Sequence, residues 1–194
     1  MVRPREFDED EVVQHAMDVF WRQGFQGTSI QDLVNATGLL PGSLYGAFGD
    51  KHGLFIKALD AYGELTLKRL RSQFRESGDP VEALRQFIRE AGIDCQSQVF
   101  GDRGCLMGNT CTELAAHDEV ARSRVEQFMV SLRDTMADAL RRGQDLGTFD
   151  TGRDPNAVAT FIQCSLQGMA VLAKSRPGPA AIHGVVSELL RALD

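Results

Sequence analysis

Apolar residues recur every three or four positions along most of the chain, which is the spacing of amphipathic α-helices. Breaks rich in glycine, proline and aspartate divide this pattern into segments. The segments predict helices over 8–24, 28–36, 41–48, 51–74, 80–98, 105–116, 118–142, 154–174 and 180–193. We find neither strand alternation nor a repeat of about 20–50 residues. The pattern therefore predicts an all-α protein.

The first three predicted helices follow one another with short connections. Thr28 is followed three residues later by Gln31, which is the spacing of a capping box, so we expect Thr28 to cap the second helix. A glycine turn at 37–39 then leads to Pro41, whose fixed φ suits the first position of a helix. Two short helices joined by such a turn are typical of a helix-turn-helix unit, which places its second helix in the DNA major groove.

The composition is that of an ordinary soluble globular protein, with 43% hydrophobic and 25% charged residues. The N-terminal stretch MVRPREFDEDE has no signal-peptide pattern, and no apolar run approaches the ~18–20 residues that a membrane span needs. The four cysteines form no CxxC pair, so we expect reduced thiols. These features predict a cytoplasmic protein that does not associate with a membrane.

The charge of the chain counts against a generally basic surface for nucleic acid. The net charge is −6, and residues 1–51 carry eight acidic against four basic residues. Five of these acids fall in 6–11, at the start of the first predicted helix, which can face away from DNA. DNA binding by this unit must then depend on a few local groups and on backbone contacts.

Residues 8–60 carry the most specific motif, GFQGTSIQDLVNATGLLPGSLYGAF followed by GDKHGLFIKAL. It resembles the N-terminal domain of TetR/AcrR-family transcriptional regulators. The family pattern is met in register at Gly24, Thr28, Ser29, Ile30, Asp32, Leu33, Val34, Gly38, Leu39, Gly42, Ser43, Leu44, Tyr45, Phe48, Lys51 and Leu54. The resemblance implies a three-helix DNA-binding domain over 1–50 and a helical ligand-binding and dimerisation domain over 51–194. It also implies repression of an operator that an inducer releases.

The second helix of the motif has little base-reading chemistry, because no Arg, Lys, Asn or Gln lies between Gly38 and Asp50. Six apolar residues have the spacing to bury one side of the unit: Ile30, Leu33, Val34, Leu39, Leu44 and Phe48. We assign DNA contacts to Arg3, Arg5, Thr28, Ser29, Gln31, Leu40, Pro41, Gly42, Ser43, Tyr45, Gly46 and Lys51. Recognition would thus combine phosphate contacts, small apolar contacts with thymine methyl groups and DNA shape.

Arg3 and Arg5 resemble a basic arm that enters the minor groove beside a recognition helix. Gly46 inside a short helix costs about 1 kcal/mol relative to alanine. Either it lets the backbone approach DNA closely, or it packs tightly against a neighbouring helix, and the sequence leaves both interpretations open.

The central helices should hold the inducer, whose identity the sequence leaves open. Candidate lining residues are Phe87, Cys95, Cys105, Met107, Asn109, Cys111, Phe128, Phe161, Cys164 and Met169. Ordinary core packing is the alternative for each aromatic residue and methionine. Asn109 is the most informative candidate, since an amide there needs a partner if it is buried.

Cys105 is a candidate redox sensor, because it follows Arg103 and Gly104 near a predicted helix start, where a cation and the helix dipole favour thiolate. The segment GCLMGNTCTELA, with Lys174 late in the next-to-last helix, resembles the family branch that includes repressors responding to electrophiles and oxidants. We expect Cys105 to act as the sensor if it approaches Lys174. The alternative is that all four thiols are inert small hydrophobic groups.

The two apolar helices 154–174 and 180–193 are candidates for a homodimer interface, with internal core as the alternative. An enzyme is disfavoured. The sequence has no Ser-His-Asp arrangement or nucleotide-binding glycine motif, and its four histidines lack the spacing of a metal pair. We expect no cofactor and no metal. A helical protein-interaction module without DNA binding remains the alternative function.

Overall fold

The computed structural model describes residues 7–98 and 100–194, and these residues form α-helices and no strand. The helices are α1 (Glu9–Gly27), α2 (Ile30–Thr37), α3 (Pro41–Phe48), α4 (Lys51–Glu76), α5 (Pro80–Gln96), α6 (Leu106–Glu113), α7 (Glu119–Leu146), α8 (Pro155–Ala173) and α9 (Pro179–Arg191). The predicted all-α class is confirmed. Arg3 and Arg5 lie outside the described residues.

Aspartate side chains cap most of the long helices. Asp8, Asp50, Asp79, Asp118 and Asp154 each accept a backbone N–H from the first turn of the helix that follows. A carboxylate at this position satisfies an otherwise unpaired donor and interacts favourably with the helix dipole. These local signals explain why the predicted starts of α1, α4, α5, α7 and α8 lie within one residue of the observed ones.

The cap of α2 is one residue later than expected. Ser29 is the N-cap, and its hydroxyl accepts from the backbone N–H of Asp32, whose carboxylate accepts from Ser29 N at 2.9 Å. Thr28 is buried instead, and its hydroxyl donates to Gly24 O at 2.6 Å. The expected Thr28–Gln31 capping box is therefore wrong, because the carboxylate at 32 accepts hydrogen bonds more strongly than the amide at 31.

Helix α4 joins the two halves of the fold. Its first half packs against α1, where the Phe20 and Phe55 rings meet edge-on at 5.0 Å. The helix also packs on α5, α6 and α7. Gly63 allows a close approach, since a Cβ there would lie 3.3 Å from side-chain atoms of Met107 and Phe128. One continuous core therefore runs from the N-terminal helices into the bundle.

Helices α8 and α9 differ in how they use their apolar residues. Ile182 and Leu189 of α9 are buried, and α5 holds this end of the chain because Arg85 donates to Leu190 O and Leu193 O at 3.0 and 2.7 Å. Helix α8 buries one side but leaves an apolar stripe exposed on the other. This α8 stripe consists of Phe161, Cys164, Gly168, Val171 and Leu172.

The exposed stripe also explains the hydropathy of α8. Among the described helices, α8 alone is long and apolar enough to cross a bilayer. Its most apolar 18-residue stretch has a mean hydropathy of 1.2, and 28% of that stretch is buried. A helix that packs one apolar side inside its own fold and offers the other to a partner has the same composition. The value therefore reflects a helix with two apolar sides.

Candidate DNA-reading surface and ligand cavity

A glycine turn sets the angle between α2 and α3. Gly38 caps α2 with a φ of 70°, a left-handed conformation that favours glycine, and its N–H bonds to Val34 O. Leu33 and Leu44 are buried beneath the turn. The other four predicted apolar residues, Ile30, Val34, Leu39 and Phe48, are partly buried against the same core. The two helices therefore present their remaining side to solvent.

The outward side of α3 combines two large side chains with several very small ones. Leu40 is 73% exposed and Tyr45 44% exposed, and Pro41, Gly42, Ser43 and Gly46 are exposed between them. A Cβ added at Gly46 would meet no atom within 4 Å, so the interpretation as tight packing is wrong. We call Leu40–Gly46 the α3 surface.

The α2 side of this surface is polar. Ser29 is exposed, and its hydroxyl is held by the carboxylate of Asp32 at 2.6 Å. The exposed Gln31 amide donates to Asn35 Oδ1 at 2.9 Å on the same helix face. Thr28 is only 1% exposed, so its assignment as a DNA contact is wrong.

Lys51 is held within the N-terminal unit. Its ammonium group donates to Phe25 O at 2.8 Å and to Thr28 O at 2.9 Å, and lies 4.3 Å from the Phe25 ring centroid. Two of its three N–H donors are therefore taken by backbone carbonyls, which leaves one for a phosphate. Lys51 mainly fixes the end of α1 against the start of α4.

The acidic first turn of α1 lies far from the start of α2. Glu9, Asp10 and Glu11 occupy that turn, where carboxylates favour the N-terminus of the helix. The helix continues for 15 residues from Glu9 to its kink at Gly24, which is about 22 Å at 1.5 Å per residue. The acidic cluster is thus separated from the capping box of α2.

A cavity of about 190 Å³ lies between α1, α4, α5, α7 and α8. Its walls are largely aromatic and aliphatic, and they include five predicted residues: Phe87, Cys95, Cys105, Phe128 and Met169. The predicted set missed Trp21, Tyr62, Thr66, Arg69, Ala91, Asp94, Phe100, Gly104, Leu132, Leu166, Gln167 and Ala170. Tyr62, Thr66 and Arg69 follow one face of α4 at helical spacing, a signal that was present in the sequence.

The other five predicted residues do not line this cavity. Met107 is buried in the core beneath Gly63. Cys111 is exposed on α6, and Phe161 and Cys164 belong to the exposed α8 stripe. Asn109 lies outside the cavity and links two segments of the chain. Its Nδ2 donates to Arg103 O at 2.7 Å, and its Oδ1 accepts from Lys174 Nζ at 3.1 Å.

Cys105 is the N-cap of α6 and the meeting point of three hydrogen-bond donors. Its sulfur accepts from Gly108 N at 3.4 Å, from Gln167 Nε2 at 3.5 Å and from the Tyr62 hydroxyl at 3.6 Å. The ammonium group of Lys174 donates to Asn109 Oδ1 instead. The expected pairing of Cys105 with Lys174 is therefore corrected: Tyr62, Gln167 and a backbone amide surround the sulfur.

Two lining groups are held in their neutral forms. Burial, together with the neighbouring Cys105, raises the pKa of the Tyr62 hydroxyl well above its usual value. Burial, with a contribution from Asp94, also raises the pKa of the Cys95 thiol to about 11. Arg69 and Asp94 form a 3.4 Å ion pair that partly neutralises the charged part of the wall. The cavity is therefore suited to an uncharged molecule.

An exposed second helix after a glycine turn, joined to a helical domain, is the arrangement of a helix-turn-helix DNA-binding protein. Two family models match: bacterial regulatory proteins, tetR family, over residues 12–58, and the tetracyclin repressor-like C-terminal domain over residues 80–188. The chain belongs to the TetR family of transcriptional regulators.

Individual relatives agree with this assignment. The HTH-type transcriptional repressor ComR of Escherichia coli (strain K12) is 31% identical over 190 residues, which cover 97% of this chain and 90% of ComR. A cysteine mutant of the TetR family regulator CifR, solved with 26-base-pair double-strand operator DNA, is 32% identical with a TM-score of 0.86. That match covers 99% of this chain and 100% of the CifR chain. The protein is a DNA-binding transcriptional regulator and not an enzyme.

Proposed function

We propose that this protein is a repressor that binds a palindromic operator as a homodimer and is released by a small apolar or electrophilic inducer. Residues 1–50 would read DNA, and residues 51–194 would bind the inducer and the second subunit, in the cytoplasm. The observation that carries the proposal is the α3 surface, which exposes the large side chains of Leu40 and Tyr45 beside small residues. ComR, described as a repressor, and CifR, solved on operator DNA, support it.

DNA reading would use each part of the α3 surface differently. The Tyr45 hydroxyl and the backbone N–H groups at the helix start suit phosphate oxygens. Leu40 and Pro41 suit thymine methyl groups, and Ser43 suits either a donor or an acceptor on a base edge. Gly42 and Gly46 would let the α3 backbone come close to DNA. Gln31 and Ser29 would add polar contacts from α2, and Arg3 and Arg5 remain proposed minor-groove contacts.

The homodimer would form around the α8 stripe, with α9 beside it. An exposed apolar stripe on a long helix is typical of a two-fold helical interface. Val171 is 65% exposed on this stripe, whereas Val130 is 41% exposed on α7. We expect Val171→Glu to give monomers in sedimentation velocity, and Val130→Glu to leave the dimer intact. A dimer that survives Val171→Glu would place the interface elsewhere.

The size of the cavity limits the inducer. A dry engineered cavity of about 150 Å³ binds benzene, so about 190 Å³ suits an uncharged molecule of roughly six to ten non-hydrogen atoms. An electrophile of this size could also react with Cys105. When the Cys105 thiol adds to an α,β-unsaturated carbonyl compound, its sulfur forms a C–S bond with the β-carbon and the C=C π bond breaks. The thiol proton ends on the α-carbon.

Operator selection tests the proposal directly. The full-length protein would be used to select duplexes from a random library, and we expect a palindromic sequence whose binding weakens as salt rises. Leu40→Ala should weaken that complex, and Leu65→Ala, which truncates a leucine 49% exposed on α4, is the matched control. Selection of no duplex, or equal binding by Leu40→Ala, would contradict the proposed reading mode.

A further inference from the structure

The backbone between α1 and α2 is held from two sides. Lys51 binds the carbonyls of Phe25 and Thr28, as described above. On the other side, the carboxylate of Glu113 accepts from Phe25 N at 3.1 Å and from Gln26 N at 2.8 Å. Residues 24–28, which we call the α1–α2 link, therefore connect the reading unit to the end of α6.

The kink at Gly24 creates the need for this carboxylate. Gly24 has φ 74° and ψ 173°, which interrupts α1 and leaves the following amides without their usual helical acceptors. Glu113 supplies those acceptors. A Cβ at Gly24 would lie 2.8 Å from Glu113 Oε2, so the glycine makes room for the carboxylate as well as for the turn.

The position of Glu113 is unfavourable for α6 itself. It is the last residue of α6, where the negative end of the helix dipole disfavours a carboxylate. The local preference of the helix is therefore offset by the two hydrogen bonds to α1. Such bonds from backbone N–H groups to an ionised acceptor are among the stronger ones in proteins.

Helix α6 connects the cavity to the α1–α2 link. Cys105 caps its first turn at the cavity wall, and Glu113 lies at its other end, eight residues or about 12 Å along the axis. The cavity end is also tied to α1, because Trp21 Nε1 donates to Gly104 O at 2.9 Å. A displacement of α6 at the cavity would therefore reach the backbone just before α2.

We propose that Glu113 is the positioning residue that couples the inducer cavity to the DNA-reading helices. While its carboxylate holds Phe25 N and Gln26 N, the start of α2 stays fixed relative to α6. A molecule that displaces α6 at Cys105 breaks these two bonds and frees the Glu113 side of the link, while Lys51 still holds the other side. This inference rests on the proposed function only in taking the cavity as the inducer site.

The test follows amide hydrogen exchange of residues 24–28 in the full-length free protein, so it does not depend on DNA. The background carries Cys111→Ser and Cys164→Ser, which remove the exposed thiols, and sedimentation velocity checks that its oligomeric state is that of the wild type, because Cys164 lies on the α8 stripe. N-ethylmaleimide at neutral pH is the probe for Cys105. Cys95 lines the same cavity, and the pKa of its thiol, raised to about 11 by burial, slows its reaction with the probe at this pH. Mass spectrometry identifies the single adduct.

We expect the adduct at Cys105 to speed exchange of the link by about tenfold or more, as loss of two charge-assisted bonds implies. Glu113→Gln should show fast exchange without the probe and no further increase with it. Glu126→Gln, which changes an exposed carboxylate on α7, should behave like the background. A similar melting temperature for the two Gln variants would separate coupling from general loss of stability.

Two results would overturn the proposal. One is slow exchange of the link in Glu113→Gln, and the other is an adduct that leaves exchange unchanged in the background. Failure to select an operator would instead count against the DNA-reading proposal, and it would leave the exchange result to be judged by itself. The two failures are therefore distinguishable.

Discussion

Helices α3 and α6 are both eight residues long, but their surroundings are opposite. Helix α3 buries Leu44 and exposes most of its other residues, and its first residue has no side-chain cap. Helix α6 buries Leu106, Met107 and Thr110, packs on α1, α4 and α7, and has a side chain engaged at each end. One helix is free to meet a partner, whereas the other is fixed where it can transmit a displacement.

If α3 reads DNA and α6 borders the inducer cavity, the two tasks fall on helices with different surroundings. Changes on α3 should alter DNA binding with little effect on folding, because its outer residues contact little of the protein. Changes on α6 should alter folding or coupling, because its residues contact three other helices.

Met107→Ala should give the largest effect. Met107 is 2% exposed in the core, and truncation of such a residue costs about 2–5 kcal/mol of unfolding free energy. Cys111→Ala on the exposed face of α6 is the matched control and should change stability by less than about 0.5 kcal/mol. Urea denaturation measures both. Equal costs would mean that α6 is not fixed as described.

Tyr45→Ala should weaken operator binding by about tenfold, or about 1.4 kcal/mol, through loss of a phosphate contact. Its melting temperature should stay close to that of the wild type, since the side chain is 44% exposed. Fluorescence anisotropy with a selected operator gives the affinity. A large drop in stability with unchanged affinity would reverse the role assigned to α3.

Gly46→Ala separates stability from DNA reading most sharply. The added methyl group meets no atom within 4 Å, so the substitution should stabilise the protein by about 0.5–1 kcal/mol. The same methyl group should weaken operator binding if the backbone approaches DNA at this point. Parallel melting and anisotropy experiments test both parts, and unchanged affinity would contradict the close approach.

Acid should produce the smallest effect. The pKa of Asp118, the cap of α7, is lowered by hydrogen bonds from Ala121 N and from His52, whose Nε2 lies 2.7 Å from Oδ2. Because the folded pKa lies below the unfolded one, this stabilisation is present at neutral pH and is lost as pH falls through the folded value. Asp118→Asn keeps a good cap. The substitution should therefore reduce the loss of unfolding free energy between pH 6 and pH 3 by less than about 1 kcal/mol, as measured by denaturation curves at the two pH values.

The parts of the fold that local chemistry determines were predictable. Gly38 ends α2, Pro41 begins α3 and Asp50 caps α4, and each acts through its own backbone or its neighbours. The α2 cap was misplaced by one residue because Thr28 and Ser29 offer the same hydroxyl. Their neighbours distinguish them, since Asp32 pairs with Ser29 whereas the Thr28 hydroxyl donates to Gly24 O four residues earlier.

The cavity was less predictable because its walls come from distant parts of the chain. Cys105 was assigned to it, but Trp21, Tyr62 and Gln167 were not. The pairing of Cys105 with Lys174 failed for the same reason, since neither residue reveals in sequence that Asn109 lies within reach of the ammonium group. The contact of Glu113 with the link spans 88 residues and carries no local signal.

The most direct test of the central claim is the operator affinity before and after N-ethylmaleimide modifies Cys105. The protein would carry Cys111→Ser and Cys164→Ser, and the duplex would be the one selected by the wild type. If cavity and reading helices are coupled through α6, the adduct should raise the Kd by about tenfold or more. A fully modified protein that binds its operator with unchanged Kd would show that the cavity is not coupled to the reading helices.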